Sequence, residues 1–426
     1  MQRSEAAARS KALRVGGMAP SYIAQHPIER LGPQALRVGG MARQGSRGLP
    51  SGTIPDTESA MAIKRPAAPE GRLVVLEHTS KVLSGNPLGD PHVRKLHLWL
   101  PPQYDTAPGK RFPVLFDLAG FTGSGPAHLA WRAFDENLPE RLARLVHEKR
   151  MAPAIVVFPD CFTALGGNQY INSSAIGRYA DYLVHELVPT VDREFRTLAT
   201  RDSRGCFGKS SGGYGAIVHA MKHPETWGAV ANHSGDAAFD LCYRSDWPNT
   251  LNALARFAAP PRKAGRIDVT RNAAKLTPGV DDGRVQRFLQ SIWRKERPGG
   301  GDVHALMNLA MAASYDPDPK APNGFRLPFN LETGELIPQR WARWLAHDPV
   351  NMVQKHRAAL RTLRGIWIDC GWRDQYHIHY GTRQLSMTLA RAGITHTYEE
   401  FDDTHSGIDY RMDRSLPFLT RSLALR

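Results

Sequence analysis

The stretch Gly208-Lys209-Ser210-Ser211-Gly212 has the form G-x-S-x-G. It follows a short apolar run around Cys206-Phe207 and precedes a helix-forming segment, Ala216–Met221. Strand, tight turn and helix in that order make a nucleophile elbow. The turn projects the serine Oγ from the sheet edge, and glycines stand where side chains would strike the strand and the helix. The helix then directs its first N–H groups and its positive dipole end at the same point. Ser210 is therefore the candidate nucleophile. The Gly-Lys-Ser within the stretch also invites a phosphate-loop reading, which requires G-x-x-x-x-G-K-[ST]. That pattern needs a glycine five residues before Gly208, where Ser203 stands, so it fails.

A serine of this kind needs a base to take its proton and an acid to orient the base. With such an elbow the acid comes next in the chain and the histidine last, each at the end of a later strand. The run Gly365–Asp369 leads into a turn that carries Asp374. Thirty-one residues later, after one helix and one strand, comes Asp402-Asp403-Thr404-His405-Ser406-Gly407. One helix–strand unit returns both groups to the edge that holds Ser210, so Asp374 is the expected acid and His405 the expected base. Asp369 lies inside the strand and reads as structural, while Asp402 and Asp403 are too close in sequence to His405 to reach its far nitrogen easily. For the oxyanion, one donor is expected from the backbone N–H of Ser211. The other is expected from the N–H of Phe121, in the glycine turn Ala119-Gly120-Phe121-Thr122-Gly123 after an early strand. His233 ends a strand near the site, and His377 and His379 form an H-x-H pair. Without a third ligand at metal-type spacing, no metal site is expected, and no cofactor is implied.

These residues need a frame to hold them. Eight apolar runs of strand length occur in series: Leu73–Leu76, Leu96–Leu100, Pro113–Leu118, Ala154–Phe158, Gly205–Phe207, Ala229–Ala231, Gly365–Ile368 and His396–Phe401. Helical stripes lie between several of them: Leu138, Leu142, Leu145 and Val146; Tyr179, Leu183, Leu187 and Val191; and Leu385 with Leu389, closed by Gly393. Alternating strands and helices with almost wholly apolar central strands predict an α/β fold, a mostly parallel sheet covered on both faces. Between the strand ending near Gly235 and the one opening at Gly365, helical patterns recur (Phe288, Leu289, Ile292 and Trp293; Ala305–Ala313), followed by a turn-rich section, Pro317–Pro338. So long a connection is not a bare loop. It reads as a largely helical cap inserted over one edge of the sheet, at 237–345, leaving 67–236 and 346–426 as the core.

Residues 1–66 differ in texture. They are rich in Gly, Ala, Ser, Arg and Pro, and Ala12–Ala19 recurs as Ala35–Ala42. Two copies are too few for a solenoid, so a disordered basic segment is expected, with Met61 a candidate start in its own right. This segment holds ten Lys/Arg against four Asp/Glu, a net +6 of the chain's +14. The rest is a solvated surface charge, and no nucleic-acid motif accompanies it. No apolar run is long enough to span a membrane, and no secretory h-region follows the early basic residues. Four scattered cysteines without C-x-x-C spacing complete the expectation of a reduced, cytoplasmic protein.

Three segments together resemble the "Putative esterase" family of α/β-hydrolases, which includes esterase D (S-formylglutathione hydrolase), enterochelin esterases, feruloyl esterases and mycolyltransferases. They are Pro113-Val114-Leu115 into Ala119-Gly120-Phe121, Gly177-Arg178-Tyr179 with Asp181-Tyr182-Leu183, and Gly208–Ala216. The resemblance covers roughly 80–235 and 345–425. It implies the α/β-hydrolase fold and a Ser–Asp–His triad falling on Ser210, Asp374 and His405. Ala119 stands where many relatives carry histidine. The expected activity is hydrolysis of a small carboxylic ester or thioester through an acyl-enzyme. The alternatives are an acyltransferase with the same triad, which product analysis with added alcohols would separate, and a silent binding protein on a hydrolase scaffold. Trp131, Tyr170 and Trp372 lie in segments able to line a pocket, with core or cap packing the expected role of each.

Overall fold

The computed structural model describes residues 70–259 and 281–425. The expectations for 1–66, including the internal repeat and the Met61 start, therefore lie outside the described residues. Eight strands form one sheet: β1 (Arg72–Thr79), β2 (Val93–Leu100), β3 (Val114–Leu118), β4 (Ile155–Phe158), β5 (Arg204–Lys209), β6 (Ala229–His233), β7 (Gly365–Gly371) and β8 (Thr397–Phe401). Their order across the sheet is β1-β2-β4-β3-β5-β6-β7-β8. β1 and β2 pair antiparallel, β2 also runs antiparallel to β4, and every other pairing is parallel. Each of the eight apolar runs in the sequence falls on one of these strands.

Burial explains why those runs were so apolar. β3, β4 and β6 are buried at every residue, because helices cover both faces. The helices Ser211–Lys222 and Ile378–Arg391 lie over one face, contributing Ala216, Ile217, Leu385 and Leu389 to its core. Leu138–His147 and Met412–Ser422 cover the other, with Leu142, Leu145, Leu416 and Leu419. Leu138–His147 starts on a capping box between Asn137 and Glu140, and Gly393 closes Ile378–Arg391 at φ 68°. The stripe from Tyr179 to Val191 is a continuous helical run that widens to a π-helical turn over Tyr182–Leu187.

Between β6 and β7 the chain is largely helical, with Trp247–Ala255, Arg284–Arg294, Gly300–Tyr315 and Pro338–Leu345 as its longer helices among the described residues. Phe288, Leu289 and Ile292 are buried as their spacing predicts; Trp293 turns outward instead, its indole N–H donating to the Ala164 carbonyl at 2.8 Å. This insertion seats on the helix that follows Ser210 through stacked rings. Tyr214 lies 6.1 Å from Phe239 and 5.8 Å from Tyr315, centroid to centroid. Among the described residues, no helix is long and apolar enough to cross a membrane.

Candidate active site

Ser210 lies between β5 and the helix Ser211–Lys222 at φ 58°, ψ −124°, a conformation that costs a non-glycine residue roughly 1–3 kcal/mol. The glycines around it meet a packing demand. A Cβ on Gly208 or Gly212 would collide with the Leu118 carbonyl oxygen, so only hydrogen lets β3 pass the turn. The Ser210 N–H donates to the His233 carbonyl at 2.9 Å, tying the elbow to the end of β6. A Cβ on Gly120 would lie 3.5 Å from that of Ser210, so the loop after β3 stands directly against the candidate nucleophile.

That loop carries Phe121, whose carbonyl accepts from Gly167 N–H at 2.6 Å while the turn closes through Gly123 N–H to Gly120 O at 3.0 Å. Ser211 is the first residue of its helix, so its backbone N–H is among those a helix leaves without an internal partner. On the far side, His405 Nδ1 stands 2.7 Å from Asp374 Oδ2, and the other Asp374 oxygen accepts Tyr376 N–H at 2.8 Å. The His405 backbone N–H donates to Gln375 Oε1 at 2.9 Å, and the Tyr376 ring meets the imidazole edge-on at 4.8 Å. A carboxylate on Nδ1 fixes the proton there and leaves the lone pair of the neutral ring on Nε2, the arrangement of a general base.

Ser210, His405 and Phe121 line one cavity of about 180 Å³, closed on the insertion side by Tyr243, Val303 and Met307. Asp374 lies behind His405, and Ser211 follows Ser210. All five residues singled out in the sequence thus converge on one place. The alternative acids do not. Asp369 faces His233 and Arg411, whereas Asp402 pairs with Arg373 at 2.7 Å. The aromatic candidates do not line the cavity either. Tyr170 is buried, its hydroxyl donating to Ala119 O at 2.6 Å, while Trp131 and Trp372 are 77% and 47% exposed. A second cavity, of about 220 Å³, lies within the insertion among Val285, Phe325 and Phe329, away from these groups. Among the described residues, no three His, Cys, Asp or Glu side chains are grouped to hold a metal ion.

Sequence reasoning missed a polar chain behind the site. Gln169 Nε2 donates to Ser211 Oγ at 2.7 Å, and Tyr315 donates to Gln169 Oε1 at 3.1 Å. The Tyr315 and Tyr243 hydroxyl oxygens are 3.2 Å apart, and Tyr243 donates to Asp236 Oδ2 at 2.8 Å. Asp236 itself lines the cavity. Burial pushes its acid up to about 6, against the Tyr243 hydrogen bond and the His405 ring, which favour the carboxylate. The one signal available was position: Asp236 follows the carboxyl end of β6, beside the strand that leads to Ser210, where ligands bind in such sheets.

The family model described as "Putative esterase" matches residues 91–413. The chain belongs to this esterase family. Esterase Rv1288 of Mycobacterium tuberculosis is 29% identical to it over 167 residues, 37% of this chain and 33% of the relative. The chain thus matches about a third of the length of that curated relative. Among solved structures, a ferulic acid esterase superposes with a TM-score of 0.50 at 17% identity, covering 83% of this chain and 99% of that one. An S-formylglutathione hydrolase from Agrobacterium tumefaciens gives 0.49 at 17% identity, covering 85% and 99%. At such identity the ferulic acid esterase bears on the fold alone, which is an α/β-hydrolase fold with a mostly parallel eight-stranded sheet.

Proposed function

We propose that this protein is a serine esterase that cleaves a small carboxylic ester or thioester through an acyl-enzyme intermediate. The observation that carries the proposal is the pairing of a strained serine elbow with a histidine on the same cavity, the far nitrogen of that histidine being held by a buried acid. In this reading Ser210 Oγ attacks the ester carbonyl and its proton passes to His405 Nε2. Asp374 stabilises the imidazolium that results. The N–H groups of Phe121 and Ser211 take up the charge on the carbonyl oxygen. Collapse of the tetrahedral species breaks the C–O bond, and the leaving alcohol takes the proton from His405. Water then repeats the sequence on the acyl-Ser210 ester and releases the acid. A cavity of about 180 Å³ favours a compact acyl group, since drug-sized ligands need roughly 300 Å³ or more.

Turnover of p-nitrophenyl acetate by the wild type and by Ser210→Ala tests this. The variant should fall by about 10⁶-fold in kcat. A folded Ser210→Ala protein with wild-type turnover would overturn the proposal.

A further inference from the structure

The Ser210 reading has no use for Asp236, yet the fold places this residue with care. It follows β6 in the stretch Asn232-His233-Ser234-Gly235-Asp236-Ala237-Ala238. Ser234 and Ala238 on either side of it have φ of 44° and 53°, left-handed conformations that neither side chain favours. Gly235 has no room for a side chain, since a Cβ there would strike Asn232 Oδ1 and the Gly213 backbone. The turn is pinned by Gly235 N–H to Asn232 Oδ1 at 2.8 Å. On the far side, Ala238 and Phe239 donate their N–H groups to the Asp348 carboxylate at 3.1 and 2.8 Å. This backbone holds a carboxyl group that is only 6% exposed against the cavity of Ser210 and His405.

A buried acid is expensive in a pocket meant for alkyl groups alone, where an apolar side chain would serve better. Val303, Met307 and Ile378 form the apolar part of the wall, and Thr122, Lys209, His304 and Ser406 add polar lining beside Asp236. Tyr243 donates its hydroxyl to Asp236 Oδ2, and Gln169, His405 and Asp374 are the further groups that face it. A carboxylate has roughly four lone-pair sites, so the Tyr243 hydroxyl leaves it able to accept a further donor. Lys209 lines the same cavity, and a hydroxyl on the ligand can supply the carboxylate with a further donor.

We propose that Asp236 is a specificity-determining residue, selecting esters that carry a hydroxyl group near the scissile carbonyl by accepting a hydrogen bond from that hydroxyl. This rests on the Ser210 esterase reading and names the substrate class for that site. A hydrogen bond to a charged acceptor is worth about ten- to a hundredfold in kcat/KM. Removing the acceptor should therefore erase the preference.

The test compares p-nitrophenyl butyrate with its 2-hydroxy and 3-hydroxy analogues on the wild type, Asp236→Asn and Asp236→Ala. Reading the ratio within one enzyme sample makes the result independent of how much of a variant folds. The wild type should prefer at least one hydroxylated ester by about tenfold or more. Asp236→Ala should bring the ratio close to one, and Asp236→Asn, which still accepts a hydrogen bond, should keep part of it. Equal ratios in all three proteins, or no preference in the wild type, would overturn the proposal. If the wild type turns over none of these esters, the Ser210 reading is what fails. Calorimetric binding of the same esters to Ser210→Ala and to Ser210→Ala/Asp236→Ala then decides Asp236. Tighter binding of the hydroxylated ester that the second substitution erases supports the assignment, and equal binding overturns it.

Discussion

Two Ser–His–Asp sets sit at the carboxyl end of the same sheet, and in both an aspartate holds the histidine Nδ1. In one, His405 Nδ1 lies 2.7 Å from Asp374 and the ring shares a cavity with Ser210. In the other, His233 Nδ1 lies 2.6 Å from Asp369 and its Nε2 lies 2.8 Å from Ser415 Oγ. The second set is the more complete in distances, yet its three residues are buried and line no cavity described here. Ser415 lies within the helix Met412–Ser422, whereas Ser210 is held at φ 58° at the tip of a turn. Asp369 also pairs with Arg411 at 3.1 Å, while the Asp374 oxygens take the His405 ring, the Tyr376 N–H and the Cys370 thiol of β7 at 3.7 Å. A hydrogen-bonded trio is thus not in itself an active site. Backbone strain at the serine and a cavity in front of it mark the difference. The buried trio fastens the C-terminal helix to β6 and β7, under the strand end whose His233 carbonyl holds the Ser210 N–H.

Matched substitutions in the two sets should separate rate from stability. His405→Ala should lower kcat on a p-nitrophenyl ester by about 10⁶-fold with little change in folding. His233→Ala should leave the kcat of the folded protein unchanged while costing about 3–5 kcal/mol of stability in urea, because it breaks a buried pair. Equal rate losses in two folded variants would erase the distinction. The acids should divide likewise. Asp374→Asn is expected to cost about 10⁴-fold in kcat. Asp369→Asn should cost about 3 kcal/mol in stability, the low end for a broken buried pair, since Arg411 keeps Glu399 at 2.5 Å. Urea melts and steady-state rates on the same samples would show it.

The cavity side also carries an acid that the buried side has no counterpart for. Asp236 has its folded pKa raised from 3.8 to about 6. The native state therefore holds this proton more tightly than the unfolded chain. Its stabilising effect is complete below pH 3.8 and is lost as pH rises through about 6, a change of roughly 3 kcal/mol. Asp236→Asn cannot ionise, so its stability relative to wild type should rise by up to about 3 kcal/mol between pH 4 and pH 8. A gap that is the same at both pH values would contradict this. The smallest effect is expected of Ser415→Ala, about 1 kcal/mol in stability for one hydrogen bond and none in kcat.

Much of this was legible in the chain. Strands buried on both faces must be apolar along their length, so the central ones could be read from composition, while the partly exposed edge strands β1 and β8 showed only as short runs in series with them. The elbow shows itself because Gly208 and Gly212 have no alternative under the Leu118 carbonyl. Asp374 and His405 followed from the chain order that the elbow demands. What stayed hidden depends on contacts between residues far apart in sequence. Tyr315 and Gln169 are 146 positions apart, and His233 and Ser415 are 182 apart; none sits in a period or motif. Among the aromatic residues Tyr170 is core, as packing would have it, whereas Trp131 and Trp372 are exposed. In a loop, a tryptophan such as Trp131 carries no mark of which way it will face.

The most direct measurement is fluorophosphonate labelling of the full chain, with peptide mapping of the modified residue, on wild type, Ser210→Ala and Ser415→Ala. A single label on Ser210, kept in Ser415→Ala and lost in Ser210→Ala, is the predicted result. A label on Ser415, or a folded wild type that takes none, would contradict the assignment of the open set as the catalytic one.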